Sequence, residues 1–260
     1  IMSDTKILNS PKIRLLIQFL LLVLFIFLDE NLKIDTRIEF LNNIFENEFL
    51  KILIISFFFL VLINGYNFID GVNVLCSLNY LIILFFLLKI SNDLYILDYN
   101  KEIYALILFL VVFILFNFFG KNFLGDGGVY GLGFLIGFLA ITYSSLNIKI
   151  SPYFIANLLW YPAFENLFCI IRRSFSKKKN YLPDNNHLHQ LIFKYLKQKN
   201  FIKQNYLLSS IVGLSINLFL LIKYSIGYIY YSNTILQVVL ILFGVSCYLI
   251  FYFYLIKKIK

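Results

Sequence analysis

The chain has 260 residues and a formal charge of +9, and 60% of its residues are hydrophobic while only 14% are charged. Its mean hydropathy is +0.81. A water-soluble domain of this composition would expose too much apolar surface, so the sequence indicates an integral membrane protein. The positive charge is explained by basic loops beside membrane spans and by their attraction to anionic lipid headgroups. We therefore expect the membrane, and no nucleic acid, as a partner.

Apolar runs of about 17–25 residues, long enough to cross a bilayer, recur along the whole chain. No repeat or linker marks a second domain, so we predict one all-α, polytopic bundle over residues 1–260 with about eight spans. Because residue 1 is Ile and a polar stub precedes the first span, we expect truncation at the N-terminus. The predicted spans are 13–28, 49–66, 74–90, 103–119, 129–146, 152–171, 206–222 and 235–256.

The loops on the two sides of the predicted membrane differ in charge. Lys and Arg collect at the start of the chain, after the sixth span and in the tail, whereas acids fill the loops after the first and third spans. Since cytoplasmic loops collect Lys and Arg, we predict that both ends are cytoplasmic and that the protein lies in the inner (cytoplasmic) membrane. The acids on the basic side are Asp4, Asp70, Asp126 and Asp184.

Amide and carboxylate side chains recur every three residues where the second span ends. On a helix this spacing places them on one face, and their oxygens are ligands that Mg²⁺ prefers, with substrate phosphate and water completing its shell. Gly65 and Gly71 would let the backbone approach a ligand closely. The alternative is simple capping of a helix end. The four side chains are those of Asn64, Asn67, Asp70 and Asn73.

The third cytoplasmic loop, residues 117–128, joins Asn117, Lys121 and Asp126 to four glycines. Gly-rich backbone with a lysine suits anionic oxygens, and the aspartate suits a metal ion. The alternative is a tight turn in which the lysine extends to the membrane surface.

The fourth cytoplasmic loop holds both histidines of the chain, in the segment Pro183-Asp-Asn-Asn-His187-Leu-His189. Zinc is a poor hypothesis, because two donors without a nearby cysteine fall short of the three or four that zinc needs. Binding of a phosphate or of a leaving group fits better. Glu165 is the one acid at membrane depth, and we interpret it either as a helix-packing residue or as a support of the site.

Three motifs, in order and spacing, resemble the polyprenyl-phosphate N-acetylhexosamine-1-phosphate transferases, or glycosyltransferase family 4. This family includes enzymes that start O-antigen and teichoic acid synthesis and, more distantly, the peptidoglycan phospho-MurNAc-pentapeptide transferase. Residues 64–73 are similar to the family's Asn-x-x-Asn-x-x-Asp-Gly loop, residues 117–133 to its Phe-Leu-Gly-Asp-x-Gly segment and residues 183–189 to its Pro-Asp-x-x-His-x-His motif. The resemblance extends over essentially the whole chain.

The chain departs from the family pattern at several places. Ser3 stands where members usually carry a carboxylate next to Asp4, and Asn73 stands where many bacterial members have Asp and eukaryotic members have Asn. The segment His187-Leu-His189-Gln lacks the three consecutive histidines of the peptidoglycan branch. The resemblance therefore favours the O-antigen or capsule branch.

The resemblance implies transfer of N-acetylhexosamine-1-phosphate from a UDP-sugar to polyprenyl (undecaprenyl) phosphate, with release of UMP. UDP-N-acetylglucosamine is the favoured donor, and the reaction would start a cell-surface polysaccharide such as the O-antigen of lipopolysaccharide. The implied cofactor is Mg²⁺, with Mn²⁺ as an alternative, and homodimers occur in the family. Two alternative hypotheses are a non-catalytic relative of the family and a membrane transporter. Against the transporter, the polar residues cluster at the membrane edge rather than at the midplane, where a transporter would have them.

The resemblance also implies roles for individual residues. Asp126 would coordinate the metal with Asn67 or Asp70, Asp4 would orient or deprotonate the lipid phosphate, and Asn73 and Asn117 would face the nucleotide. The implied catalytic residues are Asp4, Asp70, Asp126, His187 and His189. The implied substrate-binding residues are Arg14, Asn64, Asn73, Asn117 and Lys121, of which Arg14 and Lys121 would hold the diphosphate together with the two histidines.

Overall fold

A computed structural model of the chain describes residues 10–29, 34–96, 98–175 and 186–259. Over these residues the regular structure is entirely helical, with ten α-helices and no strand, which confirms the predicted all-α class. The helices are α1 (Pro11–Leu28), α2 (Glu39–Phe45), α3 (Glu48–Ile69), α4 (Leu75–Leu94), α5 (Asn100–Phe118), α6 (Gly125–Leu146), α7 (Pro152–Phe175), α8 (Leu188–Gln198), α9 (Asn205–Ile229) and α10 (Thr234–Ile259).

Seven helices in the described part of the chain are long and apolar enough to cross a membrane, namely α3, α4, α5, α6, α7, α9 and α10. They coincide with the second to eighth predicted spans and confirm a polytopic helical membrane protein. Helix α1 covers the first predicted span and exposes large apolar side chains such as Leu20 and Phe27. Its crossing of the membrane, and the side on which the chain ends lie, stay predictions.

Helix α8 lies in the basic segment that the sequence indicated only as a loop. His187 is its N-cap and forms a capping box with Gln190, whose side chain accepts a hydrogen bond from the His187 backbone N–H. Leu188 and Leu191 are buried while Lys197 is exposed, so the helix is amphipathic. It packs on α9 and α10 and is too short to cross a membrane.

Helix α3 lies at the centre of the bundle and packs against α1, α6 and α7. Small residues permit the close approach of these helices. A Cβ atom on Gly65 would stand 2.0 Å from the carbonyl oxygen of Pro162 in α7, and one on Gly137 of α6 would stand 2.6 Å from Leu62. The expectation that Gly65 lets backbone approach a ligand is wrong, because the residue it approaches is the backbone of α7.

The two ends of the bundle carry different groups. At one end the Arg37 guanidinium donates hydrogen bonds of 2.6 Å to the carbonyl oxygens of Ile148 and Ser232, and so joins three loops. At the other end α3, α5 and α7 finish and α4, α6, α8 and α9 begin. Within the described ranges, the motifs that contain Asp70, Asp126 and the two histidines lie at this second end. We call it the polar end.

Candidate active site

Two carboxylates lie near each other at the polar end. Asp70 is the C-cap residue of α3, and Asp126 lies in the first turn of α6. Burial, together with the negative charge of Asp126, raises the pKa of Asp70 to about 7. Asp126 is 42% exposed at its side chain and lies 3.7 Å from Nη1 of Arg14. The fold thus brings Asp70, Asp126 and Arg14 close to one another at the polar end.

Polar side chains of α1, α3 and α6 surround this pair. The Tyr130 hydroxyl is buried and lies near the side chains of Gln18 and Asn67 and the charges of Arg14 and Asp126. Gln18 accepts a hydrogen bond of 3.1 Å from the amide of Asn64, which also donates to the carbonyl of Leu60. Sequence reasoning missed Gln18 and Tyr130, although a glutamine within an apolar helix is itself a signal of an interior polar site.

The acidic pair fits a magnesium ion better than a zinc ion. Within the described residues no three His, Cys, Asp or Glu side chains gather as a metal cluster, whereas Mg²⁺ commonly takes one or two protein carboxylates and fills its octahedron with phosphate and water. Asp70 and Asp126 repel each other, and a divalent cation between them would relieve that repulsion. Asn67, near Tyr130 in the same group, is a neutral oxygen donor within the same region.

Both histidines lie against the end of α3. The rings of His187 and His189 are stacked with centroids 5.7 Å apart, and His187 also contacts the ring of Phe68 at 5.2 Å. His189 is fully buried, and burial together with His187 lowers its pKa to about 3, so the ring is neutral at physiological pH. Neither of its ring nitrogens has a hydrogen-bond partner within the described chain. Any contact of His189 with a diphosphate would therefore be a hydrogen bond rather than an ion pair.

Asn117 joins two loops of the site. Its Oδ1 accepts a hydrogen bond of 2.6 Å from the backbone N–H of Val74, and its Nδ2 donates one of 2.7 Å to the carbonyl of Asn122. Val74 has a positive φ of 57°, which is unfavourable for a β-branched residue. The amide thus stabilises the walls of the site, and its predicted contact with a nucleotide stays a prediction.

A pocket of about 570 Å³ opens beside these loops, between residues 71–73, residues 120–123, α8 and the start of α9. The backbone N–H of Asn73 donates to Oγ of Ser209 at 2.8 Å, and this fixes one wall. The volume of the pocket lies within the range of small-molecule sites. The pocket is lined by the aromatic side chains of Phe123, Phe193 and Tyr206 and by the charged side chains of Lys194 and Lys197. Aromatic and cationic walls suit a flat base carrying phosphates.

Some predicted residues lie elsewhere. Lys121 is exposed, with its Nζ 6.0 Å from the Phe119 ring, and it does not line the pocket. Asp4 and Asp184, together with Ser3 and Pro183, lie outside the described residues. Sequence reasoning did not single out Phe123, because an aromatic residue in so aromatic a chain carries no signal of its own.

The chain is similar in sequence to known proteins of one family. The model of a family described as glycosyl transferase family 4 matches residues 2–144, which include Asp70, Asn117 and Asp126. The chain is 26% identical over 239 residues to the probable undecaprenyl-phosphate N-acetylglucosaminyl 1-phosphate transferase of Bacillus subtilis (strain 168). That alignment covers 89% of this chain and 60% of the relative, so the chain spans less than two thirds of its length. No solved structure matches the chain. The chain belongs to glycosyl transferase family 4.

Proposed function

We propose that the protein transfers N-acetylhexosamine-1-phosphate from a UDP-sugar to a polyprenyl phosphate in the membrane and releases UMP. One observation carries the proposal: the acidic pair Asp70 and Asp126 lies at the same end of a membrane bundle as a pocket lined by Lys194 and Lys197. Membership of glycosyl transferase family 4 and the name of the Bacillus subtilis relative support the same reaction class.

The site offers separate places for the two substrates. The pocket beside Asn73 has aromatic and cationic walls for a nucleotide. Arg14, which lies 3.7 Å from Asp126, belongs to α1, whose apolar side chains such as Leu16 and Leu20 are exposed, as expected of a helix that faces lipid. A lipid phosphate held at Arg14 would have its prenyl chain along the bundle surface, so both reactants would meet at the acidic pair.

The reaction we propose is a single displacement, because the lipid phosphate is already a competent nucleophile. Its oxygen forms a bond to the β-phosphorus of the UDP-sugar, the bond from that phosphorus to the bridging oxygen breaks, and the electron pair leaves with UMP. Arg14 and His187 would contact the phosphate charges, and Asp4 would orient the lipid phosphate. Asp126, with Asp70 or Asn67, would hold Mg²⁺ or Mn²⁺, which when bound neutralises the diphosphate and stabilises the leaving group.

The finer assignments follow from the sequence motifs. The segment His187-Leu-His189-Gln favours a donor such as UDP-N-acetylglucosamine and a role in starting an O-antigen or capsule type of polysaccharide. The basic residues at the polar end, among them Lys12, Arg14 and Lys194, favour a cytoplasmic location for the site by the positive-inside rule. A homodimer stays a prediction.

The experiment uses membranes that contain the full-length protein, polyprenyl phosphate, Mg²⁺ and UDP-N-acetylglucosamine labelled in the sugar. We expect lipid-extractable label and release of UMP, and loss of both in the Asp126→Ala variant. The matched control is Glu102→Ala, which removes an exposed acid at the other end of the bundle and should keep full activity. Folded protein that forms no product with several UDP-sugars would favour a non-catalytic relative or a transporter.

A further inference from the structure

Glu165 is a buried carboxylate with two specific partners. It lies in the membrane-spanning helix α7 and is 1% exposed. Its Oε1 is 2.9 Å from Nδ1 of His187, which begins α8, and its Oε2 accepts a hydrogen bond of 2.8 Å from the hydroxyl of Tyr248 in α10. One side chain therefore links three helices directly beside the candidate active site.

A buried carboxylate is an energetically unfavourable group with which to connect helices. Transfer of a carboxylate out of water is strongly unfavourable, and buried ionic groups are often no more stabilising than apolar residues of the same size. Ionisable residues at membrane depth are usually functional. The bundle already has an uncharged link between α7 and α10, since Asn157 donates to Gln237 at 2.9 Å. Helix packing alone does not explain an acid at position 165.

The contact bears on which nitrogen of His187 carries a proton. A carboxylate in its ionised form only accepts hydrogen bonds, so in that form Glu165 would hold a proton on Nδ1 and leave Nε2 as the nitrogen that can contact a ligand. The ring is also held by Phe68 and by the stacked ring of His189. The backbone of His187 is fixed separately by the capping box with Gln190. The residue is thus constrained in both ring orientation and proton position.

The geometry points to Glu165, supported by Tyr248, as a positioning residue that acts through His187. It fixes the imidazole so that Nε2 is presented to the phosphates of the nucleotide sugar, an inference that rests on the proposed function for the identity of that ligand. Glu165 itself does not touch substrate. A carboxylate orients a metal-binding histidine in the same way, and loss of that partner typically lowers activity or affinity about 10–100-fold, so we expect a loss in this range.

A nuclear magnetic resonance measurement tests the positioning without any assay of turnover. The chain has only two histidines, so ¹⁵N labelling of histidine side chains gives two imidazoles, and a His189→Gln variant assigns them. We expect a protonated, hydrogen-bonded Nδ1 for His187 in the wild type and in Glu165→Gln, whose amide oxygen still accepts. In Glu165→Leu we expect the signal of the hydrogen-bonded Nδ1 proton of His187 to be lost. In Asn157→Ala, which removes the other link between α7 and α10, we expect that signal to be unchanged. An Nδ1 signal that survives Glu165→Leu would overturn the inference.

A double-mutant cycle tests the consequence for the reaction. We expect Glu165→Leu to lower kcat/KM for the UDP-sugar about 10–100-fold, and the double variant Glu165→Leu/His187→Asn to be no worse than His187→Asn alone. Losses that multiply would mean that Glu165 acts independently, and would overturn the positioning role. If Glu165→Leu does not fold, Tyr248→Phe takes its place in the cycle, because its hydroxyl contacts the same carboxylate. A folded wild type that transfers nothing would reject the proposed function, and the resonance measurement would still decide the positioning.

Discussion

Gly71 and His189 are in direct contact: a Cβ atom built on Gly71 would stand 2.3 Å from Nε2 of His189. The glycine directly follows Asp70, and the histidine lies in the first turn of α8. The sequence motif that contains Asp70 and the motif that contains both histidines therefore meet with no room for an added methyl group. Gly71 makes room for protein, namely the imidazole of His189, and not for a ligand as its position in the motif indicated.

The first prediction is that Gly71→Ala severely impairs transfer. The added methyl group must displace a fully buried ring and with it the start of α8, and a shift of about 1 Å at a reacting site can reduce the rate about 100-fold. The measurement is kcat/KM for the UDP-sugar. Gly131→Ala is the control, since nothing lies within 4 Å of a Cβ atom there. Wild-type activity in Gly71→Ala would contradict the close contact.

The second prediction concerns Asn117 and stability. Asn117→Leu leaves the backbone N–H of Val74 buried without its acceptor, which should lower the free energy of unfolding by about 1–3 kcal/mol. It should also raise KM for the UDP-sugar, because the strained residue Val74 forms part of the loop at the pocket. Thermal unfolding in detergent measures the first effect. Asn92→Leu, at an exposed position, should change neither quantity, and equal stability of the two variants would refute the bridging role.

The third prediction concerns pH and magnesium. Because the pKa of Asp70 is raised to about 7, a cation held by Asp70 and Asp126 would have to displace a proton from Asp70 below that pH. The half-saturating Mg²⁺ concentration for transfer should therefore rise about tenfold for each pH unit below 7. In Asp70→Asn the half-saturating Mg²⁺ concentration should depend less on pH, and the rate of transfer should be lower. The same steep dependence in Asp70→Asn would show that another group competes with the metal.

The raised pKa of Asp70 also predicts how stability changes with pH without divalent ions. The folded protein binds this proton more tightly than the unfolded chain, whose carboxyl has its ordinary pKa of 3.8. The resulting stabilisation is fully present below that value and is lost as the pH rises to about 7. We expect the thermal midpoint of metal-free protein to fall over this range, and to fall less in Asp70→Asn. A thermal midpoint that rises with pH over this range in the wild type, relative to Asp70→Asn, would contradict the raised pKa of Asp70.

The fourth prediction addresses Asn73, where many bacterial family members have Asp. Its amide nitrogen lies 3.4 Å from the carbonyl oxygen of Tyr206 and 3.5 Å from Oγ of Ser210. Asn73→Asp would place a carboxylate oxygen against that carbonyl, and the repulsion should weaken UDP-sugar binding several-fold, by about 1 kcal/mol. Titration of UDP-sugar binding measures the change. Tighter binding in Asn73→Asp would show that the amide contacts substrate in a different way.

Much of the fold was predictable from hydrophobic length alone. Seven predicted spans coincide with apolar helices of the described chain, because a bilayer requires runs of fixed length. Helix α8 was missed, since its apolar face is short and its surroundings are basic. The gathering of the motifs at one end was predictable too, because alternate ends of successive spans lie on the same side of a membrane.

The contacts within the site were not predictable in the same way. Helical spacing describes which residues share a face, but it does not say which face meets which neighbour. From the sequence, Glu165 could therefore be either a helix-packing residue or a support of the site. Its contact with His187 is visible only in the folded bundle. Likewise Asn117 has the residue type expected of a ligand-binding amide, although its two polar atoms bind backbone.

The most direct measurement follows the β-phosphate of the donor. Membranes with the protein receive polyprenyl phosphate, Mg²⁺ and UDP-N-acetylglucosamine that carries ³²P in its β-phosphate. We predict that the label moves into the lipid extract, that the released nucleotide is unlabelled UMP, and that Asp126→Ala abolishes both. Label that remains in released UDP would mean that the sugar moves without its phosphate, and would contradict the proposed reaction.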